Sequence, residues 1–407
     1  MDITIHKGGN EIGGNCVEIT CSGTTLLIDI GQPLSDESKP VDIEKLHPDA
    51  VFISHPHQDH YGLIGNLDDT VPIYLGKLGK CLMDSSRVFW GKRPLCKNFQ
   101  FIEPWNSVEV GKFAVTPYLV DHSAVDAYAY LVEADGVKAF YSGDFRAHGR
   151  KAILFDNLLK NPPGNVDILL MEGTNLGGDA EECHDEKSVE EKMLEVLKSE
   201  LGLCFLICSS QNLDRIVSAY RAAKRAGRIF VVDIYTAWVL RQIHTFFKSV
   251  PDISWEDIRV LSKGRTAKKH YLAVKNNPSF FGDFAQDLHK DKNEITQDAI
   301  KNNPQKYFVK NNCVQELVEK FDCSNAGVIY SMWPGYLTAE NNPDGYKRLE
   351  RLRKNSRINF IQIHTSGHAF SEDLKRFAAA LAPAMLVPIH TVNCTHLARQ
   401  KRAEIST

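Results

Sequence analysis

The chain has 407 residues, of which 43% are hydrophobic and 24% charged, and its formal net charge at pH 7 is −3. This length exceeds what one hydrophobic core usually supports, so we expect two domains. The small net charge excludes a chain that is basic throughout, so any polyanion would have to bind a local patch. No apolar stretch approaches the ~20 residues of a membrane span, no signal peptide is evident and the ten cysteines are scattered without C-x-x-C spacing, so we expect a cytoplasmic protein with no membrane partner.

The first sixty residues are predicted to form β-strands. Apolar residues alternate with polar ones at residues 3–5, and short apolar runs at 16–19 and 26–28 follow Gly-rich turns. These glycines do not fit G-x-G-x-x-G, and a strand follows them, so they indicate hairpin turns and not a dinucleotide site. Residues 50–53 predict a short buried strand that leads into a histidine-rich motif.

From about residue 188 the pattern becomes helical and then alternates with strands. Ser188 and Glu191 predict a capping box at the start of a helix. One face of that helix is apolar, with Val189, Met193, Leu194 and Leu197.

Further along the chain, strands and helices follow each other in turn. Strands are expected at residues 203–208 and 229–232, and a helix at 236–248. This alternation is typical of parallel strands joined by crossover helices. Residues 276–325 are poorly periodic and receive no assignment. Strand–turn–helix order returns with 359–363, 371–381 and 385–387.

The change of pattern along the chain predicts an inserted domain. Residues 1–175 are expected to form the first part of one domain, and residues 356–407 its C-terminal part. Residues 176–355 are expected to form a second, inserted domain between them.

The clearest functional pattern is H-P-H-Q-D-H, from His55 to His60, directly after the apolar strand. In an extended segment, residues two apart place His55 and His57 on one side, and a turn then brings Asp59 and His60 towards a neighbouring point. Imidazole and carboxylate ligands without thiolates suit zinc, with manganese as the alternative. The structural alternative is a surface loop of unligated histidines.

Four ligands from one loop cannot enclose two metal ions, so further ligands must come from elsewhere. His122, Asp144 and His390 each stand at the end of an apolar run. A lone His or Asp at a strand end is more often structural than functional. Together with the six-residue motif, however, the three residues form a consistent ligand set, and a shared carboxylate would offset the repulsion between two ions.

The sequence resembles the metallo-β-lactamase superfamily and, within it, the β-CASP nucleases. The six-residue motif matches the metal motif of the superfamily, and His122 and Asp144 match its third-histidine and bridging-aspartate motifs. Asp29 stands where the family has an aspartate that orients the motif loop. The resemblance implies an α/β fold, with a metallo-β-lactamase αββα sandwich and an inserted β-CASP α/β domain.

Three motifs are specific to the β-CASP branch, and the chain matches each of them. Glu172 is the acidic residue of M-E-G-T, His368 ends S-G-H, and His390 is the final histidine. These motifs favour nucleases over the lactamases, thioesterases and lactonases of the superfamily.

The resemblance also implies a role for each of these residues. His55, His57 and His122 would hold one metal ion, while Asp59, His60 and His390 would hold the second, with Asp144 bridging. Two ions ~3.5–4 Å apart lower the pKa of a bridging water and give a hydroxide that attacks phosphorus. Asp59 would accept the proton of that water, His368 would protonate the leaving oxygen and Glu172 would orient His368.

The inserted domain carries basic clusters and candidate phosphate-binding turns. The clusters comprise Arg215, Arg221, Lys224, Arg225 and Arg228, then Lys263, Arg265, Lys268 and Lys269, and then Lys347, Arg348, Arg351, Arg353 and Lys354. Such side chains supply phosphate contacts without sequence readout, although any one cluster is more often a solvated helix face. Ser210 and Asn212 precede a predicted helix, and His364 and Ser366 resemble a phosphate-binding turn of the family.

The expected function is therefore a two-zinc nuclease. RNA is favoured over DNA as the partner, because DNA-acting relatives carry Val where this chain has His390. Two alternatives stay open: a metallohydrolase of a small ester, thioester or lactam, and an inactive scaffold subunit of an RNA-processing complex. Endonuclease or exonuclease mode and the oligomeric state stay open as well.

Overall fold

The structure, a computed structural model, describes residues 1–35, 37–178, 183–262, 264–290, 292–321, 323 and 325–393. Its strands are β1 (Asp2–Lys7), β2 (Cys16–Cys21), β3 (Thr24–Ile28), β4 (Ala50–Phe52), β5 (Ile73–Leu75), β6 (Phe99–Phe101), β7 (Val108–Val110), β8 (Phe113–Leu119), β9 (Tyr128–Ala134), β10 (Val137–Tyr141), β11 (Ile168–Glu172), β12 (Cys204–Ile207), β13 (Ile229–Val232), β14 (Ile258–Leu261), β15 (Glu294–Ile295), β16 (Tyr307–Lys310), β17 (Ala326–Tyr330), β18 (Ile358–Gln362) and β19 (Met385–Ile389).

The helices follow the same chain order. They are α1 (Gln58–Tyr61), α2 (Lys77–Phe89), α3 (Ile153–Lys160), α4 (Glu186–Ser199), α5 (Leu213–Arg225), α6 (Ile234–Phe246), α7 (Arg265–Asn276), α8 (Pro278–Phe281), α9 (Phe284–Leu288), α10 (Gln297–Asn302), α11 (Val314–Phe321), α12 (Tyr346–Lys354) and α13 (Ser371–Leu381). Short 3₁₀ turns occupy Ile43–Lys45, Ile64–Asn66, Pro304–Lys306 and Pro334–Leu337.

The chain divides into two compact units. Unit 1 comprises Met1–Met83, Leu95–Ala180 and Gly367–Thr407. Unit 2 comprises Asp84–Pro94 and Glu181–Ser366.

Unit 1 contains two six-stranded sheets. The first has the order β1-β2-β3-β4-β5-β6, with antiparallel pairing up to β3 and parallel pairing beyond it. The second has the order β19-β11-β10-β9-β8-β7, in which β19, β11 and β10 are parallel and the others antiparallel. The carboxyl ends of β10, β11 and β19 therefore meet at one edge of the second sheet.

The two sheets of unit 1 share one apolar core. Phe52 of the first sheet contacts Tyr130 of the second, with ring centroids 5.5 Å apart. The outer face of the first sheet packs against α1 and α2, and the outer face of the second packs against Phe155 of α3 and Phe377 of α13. Because each sheet is covered on both faces, most residues of its central strands are buried. This layering confirms the expected αββα sandwich.

Unit 2 is built on one parallel sheet of seven strands, in the order β15-β14-β13-β16-β12-β17-β18. Every pair of neighbouring strands is parallel. From β12 the chain runs outward through β13 to β15, returns to place β16 beside β12, and then continues on the other side with β17 and β18. The loops that follow β12, β16, β17 and β18 therefore lie at the same edge, which we call the carboxyl edge of unit 2.

The expected capping box at Ser188 is wrong. Helix α4 begins at Glu186, and its N-cap is Asp185, whose carboxylate accepts a hydrogen bond from the Ser188 amide at 2.6 Å. Ser188 therefore stands at the third helical position, where its amide is one of the donors that an N-cap satisfies. The predicted apolar face of this helix is buried.

Residues 276–325, which received no assignment from the sequence, form short elements. Helices α8 to α11 and strands β15 and β16 lie within or across this stretch. Each element is too short to show its period clearly. Within the described part of the chain, every helix is too short or too polar to cross a membrane.

Candidate metal centre

The histidine-rich motif follows β4 and continues into α1, in unit 1. His55 and His57 occupy the extended segment after the strand, with His57 at the N-cap position of α1, and His60 lies inside that helix. Gly31 packs against this helix so closely that a Cβ atom there would lie 1.7 Å from the Asp59 carbonyl oxygen. Only glycine permits this approach, and it holds the motif against the loop after β3.

The other expected ligands follow strands of the second sheet. His122 comes three residues after β8, Asp144 three residues after β10, and His390 directly after β19. All three are buried, with exposed fractions of 2% or less. The topology of unit 1 thus brings together residues that lie up to 335 positions apart in the chain.

Three imidazoles form the first ligand group. His55 Nε2 lies 3.0 Å from His57 Nδ1, and His57 Nδ1 lies 3.4 Å from His122 Nε2. In a tetrahedral zinc site with metal–nitrogen distances of about 2.0–2.1 Å, neighbouring ligand atoms are about 3.3 Å apart. The spacing of the three nitrogens therefore matches a single metal ion.

Asp59, His60 and His390 form the second group. His60 Nε2 and His390 Nε2 lie 3.7 and 3.8 Å from Asp59 Oδ2. The ligand atoms of this group all lie within 4.8 Å of one another. Two imidazoles and one carboxylate again give a donor set that suits zinc or manganese.

Asp144 joins the two groups through a single oxygen atom. Its Oδ2 lies 3.1 Å from His60 Nε2 and 3.7 Å from both His55 Nε2 and His390 Nε2. Its other oxygen, Oδ1, is buried and has no hydrogen-bond partner in the described part of the chain. A buried carboxylate oxygen without a partner is costly, and a cation beside it would remove that cost.

The three imidazoles of the first group, and His390 of the second group, are held in the neutral form. Burial and the neighbouring imidazoles lower the pKa of His55 and His122 well below their ordinary value. Burial likewise lowers the pKa of His57 and His390. Neutral imidazole is the form that binds a metal ion, so these histidines are suited to hold the metal ions that the fold implies.

His60 and Asp144 carry opposite charges. Burial lowers the pKa of His60, but the carboxylates of Asp144, Asp29 and Asp59 raise it well above its ordinary value. Burial raises the pKa of Asp144, but His390, His60 and His368 lower it well below its ordinary value. A metal ion at His60 Nε2 would take the place of a proton, so metal binding at this position would release one.

Asp29 fixes the orientation of His60. Its Oδ2 accepts from His60 Nδ1 at 2.7 Å, from the Ser54 hydroxyl at 2.8 Å and from the Tyr141 hydroxyl at 2.6 Å. With its Nδ1 hydrogen held by Asp29, the His60 ring directs Nε2 towards Asp59 and Asp144, where a metal ion would replace the Nε2 proton. A carboxylate behind a metal-binding histidine commonly has this role.

Asn15 holds the imidazole of His390 in a comparable way, a role that the sequence did not predict. His390 Nδ1 lies 2.9 Å from Asn15 Oδ1, and Asn15 Nδ2 donates to the Tyr141 hydroxyl at 3.4 Å. Asn15 follows the Gly-rich turn between β1 and β2. The glycines predict the turn, but they do not indicate that Asn15 contacts a histidine. Tyr141, likewise missed, is the last residue of β10 and precedes the motif residue Asp144 by three positions.

His368 and Glu172 lie beside the ligand groups. His368 Nδ1 lies 3.6 Å from Glu172 Oε2 and 3.8 Å from Asp144 Oδ2. Burial lowers the pKa of His368, but Asp144 and Glu172 raise it to about 9. Glu172 is fully buried and accepts from the amides of Thr174 and Ala369, so its carboxylate is fixed. The side chain of His368 stays 22% exposed.

The residues expected to bind phosphate lie in unit 2. Ser210 is buried, and its hydroxyl bonds Thr236 Oγ1 and the Lys310 ammonium. Asn212 caps α5 by accepting from the Arg215 amide at 3.1 Å. His364 and Ser366 follow β18 at the carboxyl edge of unit 2. Phosphate binding by these four residues stays a prediction.

The basic cluster on α5 is largely neutralised. Arg215 is fully buried against Glu186, and Arg228 is buried against backbone carbonyl groups. The exposed members pair with carboxylates of their own unit: Arg221 with Glu190, Arg225 with Glu190 and Glu191, and Lys224 with Asp257. In the second cluster, Lys263 lies outside the described residues.

Comparison with known proteins agrees with this geometry. Residues 11–185 match the model of a beta-lactamase superfamily domain. The chain is similar to ribonuclease J of Helicobacter pylori (strain B128), at 22% identity over 100% of this chain and 58% of that relative. It is also similar to ribonuclease J of Mycoplasma pneumoniae (strain M129), at 22% identity over 94% of this chain and 66% of that relative. The chain thus spans less than two thirds of the length of these relatives.

A solved structure shares the fold. The crystal structure of a protein of unknown function from Enterococcus faecalis V583 superposes with a TM-score of 0.77 and 21% identity, over 100% of this chain and 98% of that one. Together with the αββα sandwich of unit 1, the match at residues 11–185 identifies the first domain. The chain therefore carries a metallo-β-lactamase superfamily domain and resembles, over its whole length, the β-CASP family of ribonuclease J.

Proposed function

We propose that the chain is a metal-dependent phosphodiester hydrolase that acts on RNA. The observation that carries the proposal is the position of Asp144 Oδ2, which lies between two groups of nitrogen and oxygen ligands. A carboxylate in this position serves two metal ions at once and compensates part of their mutual repulsion. A single structural site would need only one such group.

In this proposal, His55, His57 and His122 would hold one ion, and Asp59, His60 and His390 the other. When bound, two ions would lower the pKa of water between them and so supply a nucleophile. Zinc is the metal we propose, with manganese as the alternative.

Asp59 and His368 would move the protons. The Asp59 side chain is 13% exposed, which leaves its carboxylate accessible to water. Asp59 would take the proton of the attacking water. His368, held by Glu172 and partly exposed, would give a proton to the leaving oxygen of the sugar. Both residues lie in unit 1. His368 lies near Asp144, and Asp59 lies near the expected ligand His390.

RNA as substrate is proposed from the relatives, which are named ribonuclease J. The test is incubation of the zinc-loaded chain with end-labelled single-stranded RNA and with DNA of the same sequence. We expect RNA to be cleaved faster, and the product ladder will give the mode and polarity of cleavage. Equal resistance of both polymers, with two ions bound per chain, would contradict the proposal.

His368 also separates this proposal from the hydrolysis of a small ester or thioester. A sugar alkoxide is a poor leaving group at neutral pH and needs a proton donor, whereas a thiolate leaves without one. A buried glutamate and a partly exposed histidine beside the ligand groups therefore support the nuclease. The same experiment with thioester and lactone substrates would detect the alternative.

A further inference from the structure

Two aromatic side chains are exposed on the turn that follows β17, at the carboxyl edge of unit 2. Trp333 is 50% exposed and Tyr336 is 38% exposed, and their ring centroids lie 5.3 Å apart with planes at 88°. Burying the two rings in the core would stabilise unit 2. Of the residues in this turn, however, only Leu337 is buried in the core. Two exposed rings on one turn therefore indicate a contact surface.

The turn is held rigidly. The Trp333 carbonyl accepts from the Tyr336 amide at 3.1 Å and from the Tyr330 hydroxyl at 3.2 Å. The indole of Trp333 lies directly over Gly335, where a Cβ atom would stand 2.3 Å from the ring. Glycine at this position therefore lets the ring rest on the backbone, which limits its orientations. The exposed indole is a fixed platform.

Hydrogen bonds of Asn342 connect helix α12 to the aromatic turn. The Asn342 side chain donates to the Tyr336 carbonyl at 2.9 Å and accepts from the Gly345 amide at 3.0 Å. The backbone carbonyl of Asn342 accepts from the amide of Tyr346, the first residue of α12, at 2.8 Å. The aromatic turn and the helix thus form one piece of unit 2.

Four of the five basic residues of α12 form no ion pair within the described residues, unlike the exposed basic residues of α5. Lys354 pairs with Glu350 at 2.7 Å. The other four cations of this cluster are exposed, and the described residues offer none of them an ion pair. They are Lys347, Arg348, Arg351 and Arg353. This surface therefore combines flat apolar rings with unpaired positive charge.

We propose that Trp333 and Tyr336, together with the cations of α12, form a platform on which the bases of single-stranded RNA stack. The inference rests on the proposed function and names the part of unit 2 that holds the polymer. Every base has a π-face that can stack on an indole or phenol ring, while the arginines and the lysine contact phosphates. The unpaired cations favour a polyanion over an apolar protein segment.

The test compares binding of a single-stranded uridine 12-mer with binding of an abasic 12-mer that has the same number of phosphates. Trp333→Ala should weaken binding of the uridine 12-mer about tenfold and leave binding of the abasic 12-mer unchanged. Trp105→Ala is the matched control, because its indole is 58% exposed in unit 1, and it should change neither. Fluorescence anisotropy of labelled oligomers gives the dissociation constants.

A second pair of variants tests the charges. The double variant Arg348→Gln and Arg351→Gln should weaken both oligomers and reduce the slope of log K against log salt by about 2. The double variant Arg221→Gln and Arg225→Gln removes the same charge from α5, where carboxylates already compensate it. It should change the affinity of either oligomer by less than a factor of about 2.

Turnover of bis(4-nitrophenyl) phosphate distinguishes failure of the platform from failure of the proposed function. Trp333→Ala should keep that turnover, since the small diester has no base to stack. If Trp333→Ala binds the uridine 12-mer as tightly as wild type does, or if it weakens binding of the abasic 12-mer equally, the platform is overturned. If the wild-type chain shows the expected binding pattern but cleaves neither RNA nor the small diester, the platform stands and the proposed function fails.

Discussion

Tyr141 donates its hydroxyl hydrogen to Asp29 Oδ2 at 2.6 Å, and the Tyr141 hydroxyl oxygen accepts a hydrogen bond from Asn15 Nδ2 at 3.4 Å. Because Asp29 bonds His60 and Asn15 bonds His390, one continuous chain of hydrogen bonds connects two imidazoles of the second ligand group. The bond to Asp29 and the contact with Asn15 fix the planes of the two rings, so that both Nε2 atoms point towards Asp59 and Asp144. This chain orients both rings before any ion binds.

Asn15→Ala should therefore weaken binding of one of the two metal ions by about 10–100-fold, as loss of a partner behind a metal-binding histidine commonly does. The other ion, next to His55, His57 and His122, should bind as before. Zinc titration against a chromophoric chelator resolves the two affinities. Asn106→Ala, on the exposed turn before β7, is the control. Two unchanged affinities in Asn15→Ala would contradict the role of this asparagine.

Asp59→Ala should reduce RNA cleavage by more than about 100-fold and leave the fold intact. The residue lies in the short helix α1 with a side chain that is 13% exposed, so its loss leaves no large cavity. Circular dichroism and cleavage of end-labelled RNA check the two parts. Asp69→Ala, an exposed carboxylate in the same unit, should retain full activity. A purified Asp59→Ala chain with more than a tenth of wild-type turnover would show that this carboxylate is dispensable.

Much of unit 1 could be predicted because its signals are local. The H-P-H-Q-D-H motif lies within six residues, and β1 to β4 show either alternation or a short apolar run, so each is predictable from a short window. His122, Asp144 and His390 could be chosen as candidates from their places at the ends of apolar runs, but only the resemblance to a family gave each of them a role. Nothing in a single sequence states that the ends of β8, β10 and β19 meet.

The parts that escaped prediction depend on contacts between distant residues. Asn15 acts on His390 across 375 positions, and the spacing of polar residues cannot reveal such a pair. The α5 cluster was expected to bind phosphate, yet its exposed arginines pair with Glu190 and Glu191 of α4. A sequence shows where charges stand but not which of them lie opposite each other in the folded unit.

Asp233 should make unit 2 sensitive to acid. It is buried, it caps α6, and it accepts from the Lys310 ammonium at 2.9 Å. Burial raises its pKa, but Lys310 and the Thr236 amide lower it to a net value below the ordinary one. The carboxylate therefore stabilises the fold above the unfolded pKa of about 4, and this contribution is lost as the pH falls through the lower, folded pKa.

Asp233→Asn should accordingly lower the free energy of unfolding at pH 7 by about 3 kcal/mol, because it leaves Lys310 buried without a counter-charge. The difference from wild type should shrink as the pH falls below about 4. Urea unfolding followed by circular dichroism between pH 2.5 and 7 measures both effects. Asp283→Asn, at an exposed position, is the control. A constant difference across that pH range would exclude the ion pair as its cause.

His368 gives the sharpest test of the proposed mechanism. It lies 3.6 Å from the buried Glu172 and 3.8 Å from Asp144. Its ligand atom also lies within 4.8 Å of those of Asp144 and His390, so the test has to separate proton donation from metal binding. As a proton donor to the sugar oxygen it should contribute about 10²–10⁴-fold to RNA cleavage. His368→Ala should keep two ions per chain and lose most of this cleavage. Glu172→Gln, which keeps the shape of the partner, should lose less.

The leaving group then separates proton donation from other roles. Nitrophenolate leaves without a proton, so turnover of bis(4-nitrophenyl) phosphate by His368→Ala should fall far less than cleavage of RNA. Asp59→Ala provides the contrast, because loss of a residue that acts on the attacking water should lower both activities together. Metal analysis, RNA cleavage and model-diester turnover on the same preparations give the comparison. Should His368→Ala lose an ion, or lose both activities in equal proportion, His368 is a metal ligand or a structural residue.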